Sequence, residues 1–173
     1  MPRTVVNRIL ETRDAKGQRS LWLATEQGLV IREKGSWTLV DSRQGFPNNV
    51  IRSLHVATSP DGVRTVWAGT FGGLVRMVSG TWLSFSTQNG LPDNVSFALG
   101  ETRHPEAFWV GFLGGGLARF ENGQWHTYGE DSEVPDRLIM RFLSTEDGSG
   151  RSTLWVGTRG SGLLRFKDGR YVR

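Results

Sequence analysis

Apolar and polar positions alternate along this chain in short runs, and the runs return in the same order four times. LWLAT at 21–25, VWAGT at 66–70, FWVGF at 108–112 and LWVGT at 154–158 place Trp22, Trp67, Trp109 and Trp155 at intervals of 45, 42 and 46 residues. A second series, Trp37, Trp82, Trp125 and Tyr171, is spaced by 45, 43 and 46, each two residues after a glycine. Pro2, Pro47, Pro92 and Pro135 form a third, each three residues before Val5, Val50, Val95 or Leu138. Self-similarity at a fixed period is the signature of a repeat architecture.

Each repeat predicts four strands. The first spans 5–12, 50–57, 95–102 and 138–145, with Ile9, Leu54, Leu99 and Phe142 in one apolar column. The second carries the Leu-Trp-Val-Gly run or its variants. The third begins at Gly28, Gly73, Gly116 and Gly162 as GLVIR, GLVRM, GLARF and GLLRF, and the fourth is the short strand of the Trp37 series. Asn122-Gly123 and Asp168-Gly169 suit type I′ hairpins, whose two central residues both need positive φ, so strands three and four should pair antiparallel. Gly72-Gly73 and Gly114-Gly115-Gly116 punctuate strands two and three, and Asp61-Gly62 and Asp147-Gly148 lie between strands one and two.

Four antiparallel strands every 42 to 46 residues is a propeller period, and the 3.6-residue periodicity of helical repeats is missing. The expected fold is therefore all-β: a β-propeller of four four-stranded antiparallel blades near 1–41, 46–86, 91–129 and 135–173, as a single domain or half of an eight-bladed ring. Apolar residues on both faces of a blade are buried only by neighbouring blades, so the seven Trp and Tyr171 are expected to fill blade-to-blade interfaces.

Composition agrees: 23 Gly and seven Trp in 173 residues suit short strands and tight turns. With no Cys there is neither a disulfide framework nor a thiolate ligand set, which fixes no compartment. The N-terminus lacks a long apolar region and no stretch approaches a membrane span, so no membrane contact by this chain is expected. The net charge of +4 comes with Arg scattered through every repeat, which argues against nucleic acid as a partner.

The LWVGT, GLxRF and GxW elements, with the linker Gly90-Leu91-Pro92-Asp93-Asn94, resemble the two-component regulator propeller repeat across essentially the entire chain. The resemblance implies an extracytoplasmic or periplasmic sensor propeller of a hybrid two-component system that detects small molecules, often glycans. Three positions depart from it: Ala24 stands where Gly69, Gly111 and Gly157 stand later, Ile31 where Arg76, Arg119 and Arg165 stand, and Phe112 where Thr25, Thr70 and Thr158 stand. These 173 residues carry no kinase, phosphoacceptor or DNA-binding motif, so a signalling output is expected from elsewhere.

Blades shaped for a larger ring would form an arc with two apolar ends. Two copies joined last blade to first would close an eight-bladed ring, so a homodimer is the first expectation, ahead of a fragment of a longer receptor and a four-bladed monomer. Either Trp22→Ala or Trp155→Ala is expected to cost about 3–5 kcal/mol if both are buried.

No catalytic constellation, cofactor site or metal site is predicted. His55, His104 and His126 fall at unrelated repeat positions, and the glycines of 111–116 lack the lysine and helix of a phosphate loop. The recurring Arg76, Arg119 and Arg165 read more simply as salt bridges between blades or stacking on Trp than as ligand contacts. Linkers into strand one and turns between strands two and three should emerge on one propeller face. This makes Asn48, Asn49, Asp93, Asn94, Asp136 and Arg137 the default ligand-binding set, with Phe71, Phe112 and Arg159 farther out; loop exposure alone also explains their polarity. A non-catalytic sensor or ligand-binding module is the leading reading, a protein interaction scaffold the second, and a propeller lyase or hydrolase the third.

Overall fold

The computed structural model describes residues 4–14, 16–58, 64–78, 80–104, 106–129, 134–167 and 170–172. Pro2, Asp61-Gly62 and Asp168-Gly169 lie outside them. The described chain forms four antiparallel meanders. The first blade is β1 (Val6–Arg13), β2 (Arg19–Thr25), β3 (Gly28–Glu33) and β4 (Ser36–Val40); the second is β5 (Ile51–Thr58), β6 (Arg64–Thr70), β7 (Gly73–Val78) and β8 (Thr81–Phe85). The third is β9 (Ser96–Arg103), β10 (Glu106–Phe112), β11 (Leu117–Glu121) and β12 (Gln124–Tyr128); the fourth is β13 (Ile139–Glu146), β14 (Ser152–Thr158), β15 (Leu163–Lys167) and β16 (Arg170–Val172). Among the described residues no helix is long and apolar enough to cross a membrane. The chain divides into two compact units, Met1–Phe85 and Ser86–Arg173, of two blades each.

Every first strand starts one residue later than its apolar pattern suggests. In the second, third and fourth blades the amides of Val50, Val95 and Leu138 donate instead to the side chains of Asn48, Asp93 and Asp136, at 2.8, 3.0 and 2.9 Å. These Asx turns hold the opening residue outside the ladder. Its carbonyl still accepts from the residue beyond strand two: Glu26 on Val5, Phe71 on Val50, Leu113 on Val95 and Arg159 on Leu138. Asn122 and Gly123 have φ of 51° and 80°, the doubly positive pair of a type I′ hairpin, and Lys34-Gly35 repeats it at 49° and 85°.

In the first unit, the core joins Trp22 and Ala24 of the first blade to Ile51, Leu54, Ala68 and Val75 of the second. Trp22 meets Trp82 edge-on at 6.5 Å, and Phe46 from the linker meets Trp82 at 4.9 Å. In the second unit, Trp109 of the third blade packs at 5.5 Å from Phe166 of the fourth, within a cluster that includes Leu117, Ile139, Val156 and Leu164. The junction interlocks: a Cβ added to Gly111 would lie 2.4 Å from Ile139 Cγ2, and one added to Gly100 would lie 2.9 Å from Phe142 Cβ. Glycine in β9 and β10 is therefore the cavity into which the next blade's first strand inserts. Ala24 holds the Gly111 position in the first blade and is fully buried in the same cluster as Ile51.

The aromatic columns divide by face. Trp22, Trp67 and Trp109 are 2–3% exposed, whereas Trp37 is 45% exposed and Trp155 only partly buried. The expectation that Trp155 is fully buried is thus corrected. Its face of the fourth blade is open, and burial of a blade residue depends on the blade beside it rather than on its own strand. Arg76 and Arg119 stack on the Trp of their own blade, with guanidinium carbons 5.2 and 5.8 Å from the rings of Trp67 and Trp109. Arg119 also pairs with Glu121 at 3.1 Å within its own strand.

Candidate functional site

Linker and turn share one edge of the second, third and fourth blades. Where the second blade opens, a Cβ on Gly72 would lie 2.9 Å from the Cβ of Asn48; in the third, one on Gly115 would lie 2.6 Å from the Cβ of Asp93. In the fourth the contact is a hydrogen-bonded one: Asp136 Oδ2 accepts the amides of Gly160 and Ser161, both at 2.8 Å. Glycines in these turns let the linker side chain lie directly on the turn backbone. In the second unit the edge runs on from blade to blade, because Arg137 Nε donates to Gly114 O at 2.8 Å and Gly116 donates to Arg137 O at 3.1 Å.

Several of the residues picked out by sequence hold the frame. Asn49 accepts the Ser42 amide at 2.8 Å and Asn94 accepts that of Thr87 at 2.9 Å, each bracing a short 3₁₀ turn, Ser42–Gln44 or Thr87–Asn89. Those turns are closed by capping boxes from Asp41 and Ser86 and end on Gly45 and Gly90 at φ of 90° and 102°. Phe71 is 39% exposed with the Arg52 guanidinium 5.9 Å from its ring, and Arg159 is exposed. Phe112 is a correction: it is fully buried, where a residue presented to a ligand was expected. It aligns with the turn threonines of the other blades but has no hydroxyl to serve the turn.

Partial burial pushes the Asp136 carboxyl up. The amides of Leu138, Gly160 and Ser161 and the Thr158 hydroxyl outweigh it and bring the pKa down to about 2. Asp147 is likewise lowered to about 2, by the Ser149 hydroxyl and the amides of Ser149 and Arg151 that close the β13–β14 turn. A depressed pKa contributes stability that is whole above the unfolded value near 3.9 and is lost as pH falls through the folded value. Chemical unfolding should therefore show this contribution whole above about pH 5 and declining from there toward pH 2 and below. Asp136→Asn should make that decline shallower. An unchanged slope would remove Asp136 as a contributor.

Asp93 differs from its counterparts. Its Oδ1 makes the Asx bond to Val95, while its Oδ2 has no hydrogen bond among the described residues. Asn48 makes the same Asx turn with an amide, so the turn requires the oxygen and not the charge. With Arg137 and Asp136 on the same unit's edge, Asp93 is the candidate whose chemistry the frame does not consume.

Two structural columns escaped the sequence reading. The Trp22, Trp109 and Trp155 indoles donate to Thr12, Thr102 and Thr145 on the neighbouring first strand, at 2.8, 3.2 and 2.9 Å. The Thr25, Thr70 and Thr158 hydroxyls donate to the carbonyls of Gly28, Gly73 and Gly162, at 2.7, 2.8 and 2.9 Å. The signal for the first was Thr recurring ten residues after the proline column, broken only by Ala57.

No protein-family model matches this chain, and no curated protein matches it. Among solved structures it is similar to the extracellular domain of a hybrid two component system from B. thetaiotaomicron, with a TM-score of 0.69 and 18% identity over 96% of this chain and 23% of that one. A second such domain from B. thetaiotaomicron gives 0.63 and 24% over 87% of this chain and 20% of that one. BBS1N in complex with ARL6DN gives 0.62 and 14%, over 99% of this chain and 54% of that one. At these identities the likeness is one of fold. The chain spans about a quarter or less of the two bacterial domains.

Proposed function

We infer that this chain is a blade segment of an extracytoplasmic sensor of the two-component type, binding a small hydroxyl-rich ligand without chemical turnover. The repeat motifs support the reading, and so does the fold shared with extracellular domains of hybrid two component systems over nearly the full chain. The observation that carries the binding part is the linker edge of the second unit. Asp93 offers a carboxylate oxygen that no backbone amide occupies, on a frame fixed by the Asx turn and by Arg137 bonded to Gly114. An ionised carboxylate on a rigid frame accepts hydrogen bonds from hydroxyls, as in glycan and polyol recognition. The neighbouring Asp136 carboxyl, held near 2, stays ionised at neutral pH and is a poor proton donor there.

Thermal unfolding with a panel of oligosaccharides and polyols tests this, since a ligand bound to the folded state raises Tm. A binding member should raise Tm by several degrees at saturation, and Asp93→Asn, which keeps the Asx turn, should abolish the rise. A Tm unmoved by the whole panel would count against a hydroxyl-rich ligand. The likeness to BBS1N, solved in complex with ARL6DN, favours a second reading as a protein-binding scaffold. On that reading no member of the panel moves Tm, with or without Asp93→Asn.

A further inference from the structure

We propose that the outer face of the fourth blade is the docking surface for the first blade of a second copy of this chain, in the register that joins the third blade to the fourth. That face carries an open groove of about 350 Å³ floored by Leu143, Trp155, Gly157 and Leu163. Each of these has a counterpart at the same repeat position of the third blade, where the fourth blade covers it. Leu117 is fully buried and Leu163 is 66% exposed; Trp109 is 2% exposed and Trp155 half-buried. The Gly111 cavity is filled by Ile139, whereas a Cβ on Gly157 would meet nothing nearer than the Arg141 carbonyl at 3.8 Å.

The first blade supplies the matching inserts. Val6 holds the position of Ile51 and Ile139, both fully buried, yet is 45% exposed; Ile9 holds the position of Leu54 and Phe142 and is 61% exposed. The side-chain volumes also complement one another. Between the third and fourth blades a glycine, Gly100, faces the large Phe142; at the proposed junction the larger Leu143 stands in the glycine position and the smaller Ile9 in the phenylalanine position. Interiors are close-packed, so a bulky residue on one face calls for a smaller one opposite. A second copy brings that first-blade face intact, and one such contact in each direction closes a pair about a two-fold axis.

The chain has no cysteine, which makes cross-linking unambiguous. Gly100 and Phe142 bring their Cβ positions within 2.9 Å, so cysteines at Leu143 and Ile9 of paired copies fall within disulfide reach. Light scattering on the 173-residue chain at tens of micromolar should give the mass of two chains, and Ile9→Glu or Leu163→Glu should each halve it with an unchanged circular dichroism spectrum. Ile9→Cys mixed with Leu143→Cys should form a disulfide-linked dimer that neither variant forms alone. A single-chain mass, a ladder growing with concentration, or a mixture that stays uncrosslinked under oxidation would each overturn the proposal.

Discussion

Trp109→Ala should cost about 3–5 kcal/mol of folding stability, the range for removing a fully buried indole. The side chain is 2% exposed, lies against Phe166 and Tyr128 at 5.5 and 5.8 Å, carries the Arg119 guanidinium on its ring, and donates its N–H to Thr102. Its loss leaves a cavity between two rigid sheets and removes the indole's hydrogen bond to the buried Thr102. Trp155 is chemically the same residue in the same strand position, with the same indole bond to a threonine. Its outer face, however, has no blade against it. In the Leu163→Glu background, which keeps that face uncovered, Trp155→Ala should cost under about 2 kcal/mol, because much of the side chain is never removed from water. Urea unfolding of the two variants checks the contrast. Equal losses would mean that the indole is stabilised by its own sheet alone and that blade stacking adds little.

Gly111→Val should be the other severe change. Even the first added carbon would sit 2.4 Å from Ile139 Cγ2, 2.7 Å from its Cβ and 3.2 Å from Ala98 Cβ. Ile139 is fully buried on a strand tied into its own sheet, so it cannot swing aside; the blades must part, at about 1–3 kcal/mol or more for an overpacked core. Gly157→Ala in the same Leu163→Glu background is the control: an added Cβ there meets nothing nearer than the Arg141 carbonyl at 3.8 Å, and losing a glycine from the unfolded ensemble stabilises by about 0.4–1 kcal/mol where the backbone is compatible. Opposite outcomes at two aligned glycines would follow only from the presence of a neighbour at one of them.

Much of this architecture was legible because blade repeats force the same side chains into the same environments. The Trp22 and Trp37 columns located strands two and four of every blade, and the glycine column at 28, 73, 116 and 162 located strand three to within a residue. What escaped was whatever depends on a partner outside the repeat. Trp155 was expected to be buried like Trp22, since column equivalence says nothing about which blade face has a neighbour against it. Phe112 aligned with turn threonines and was expected at the surface, but a phenyl ring with no hydrogen bond to offer the turn is driven inward. The first strands of the second, third and fourth blades opened late because Asn48, Asp93 and Asp136 capture the next amide but one, a local competition that hydrophobic alternation does not register. The 3₁₀ turns of three residues are too short to leave any periodicity, although Asp41 with Gln44 was a readable capping pair.

The candidate site was legible as a set and misread in part as individuals. Linker and turn do share an edge, as the meander requires. Yet Asn49, Asn94 and Asp136 spend their side chains on backbone amides. A sequence shows that a loop residue is polar; it does not show whether that polarity is already consumed. Asp93 stands apart only when its second oxygen is set beside the equivalent atom of Asp136.

The interlocking of one blade with the next is tested most directly by a double-mutant cycle on Gly111→Ala and Ile139→Ala. If Ile139 fills the Gly111 cavity, shortening it makes room for the new methyl, and the double variant should be more stable than the sum of the single losses by about 0.5–3 kcal/mol. Losses that add to within about 0.3 kcal/mol would mean the two residues do not meet, and the stacking of blades described above would be wrong.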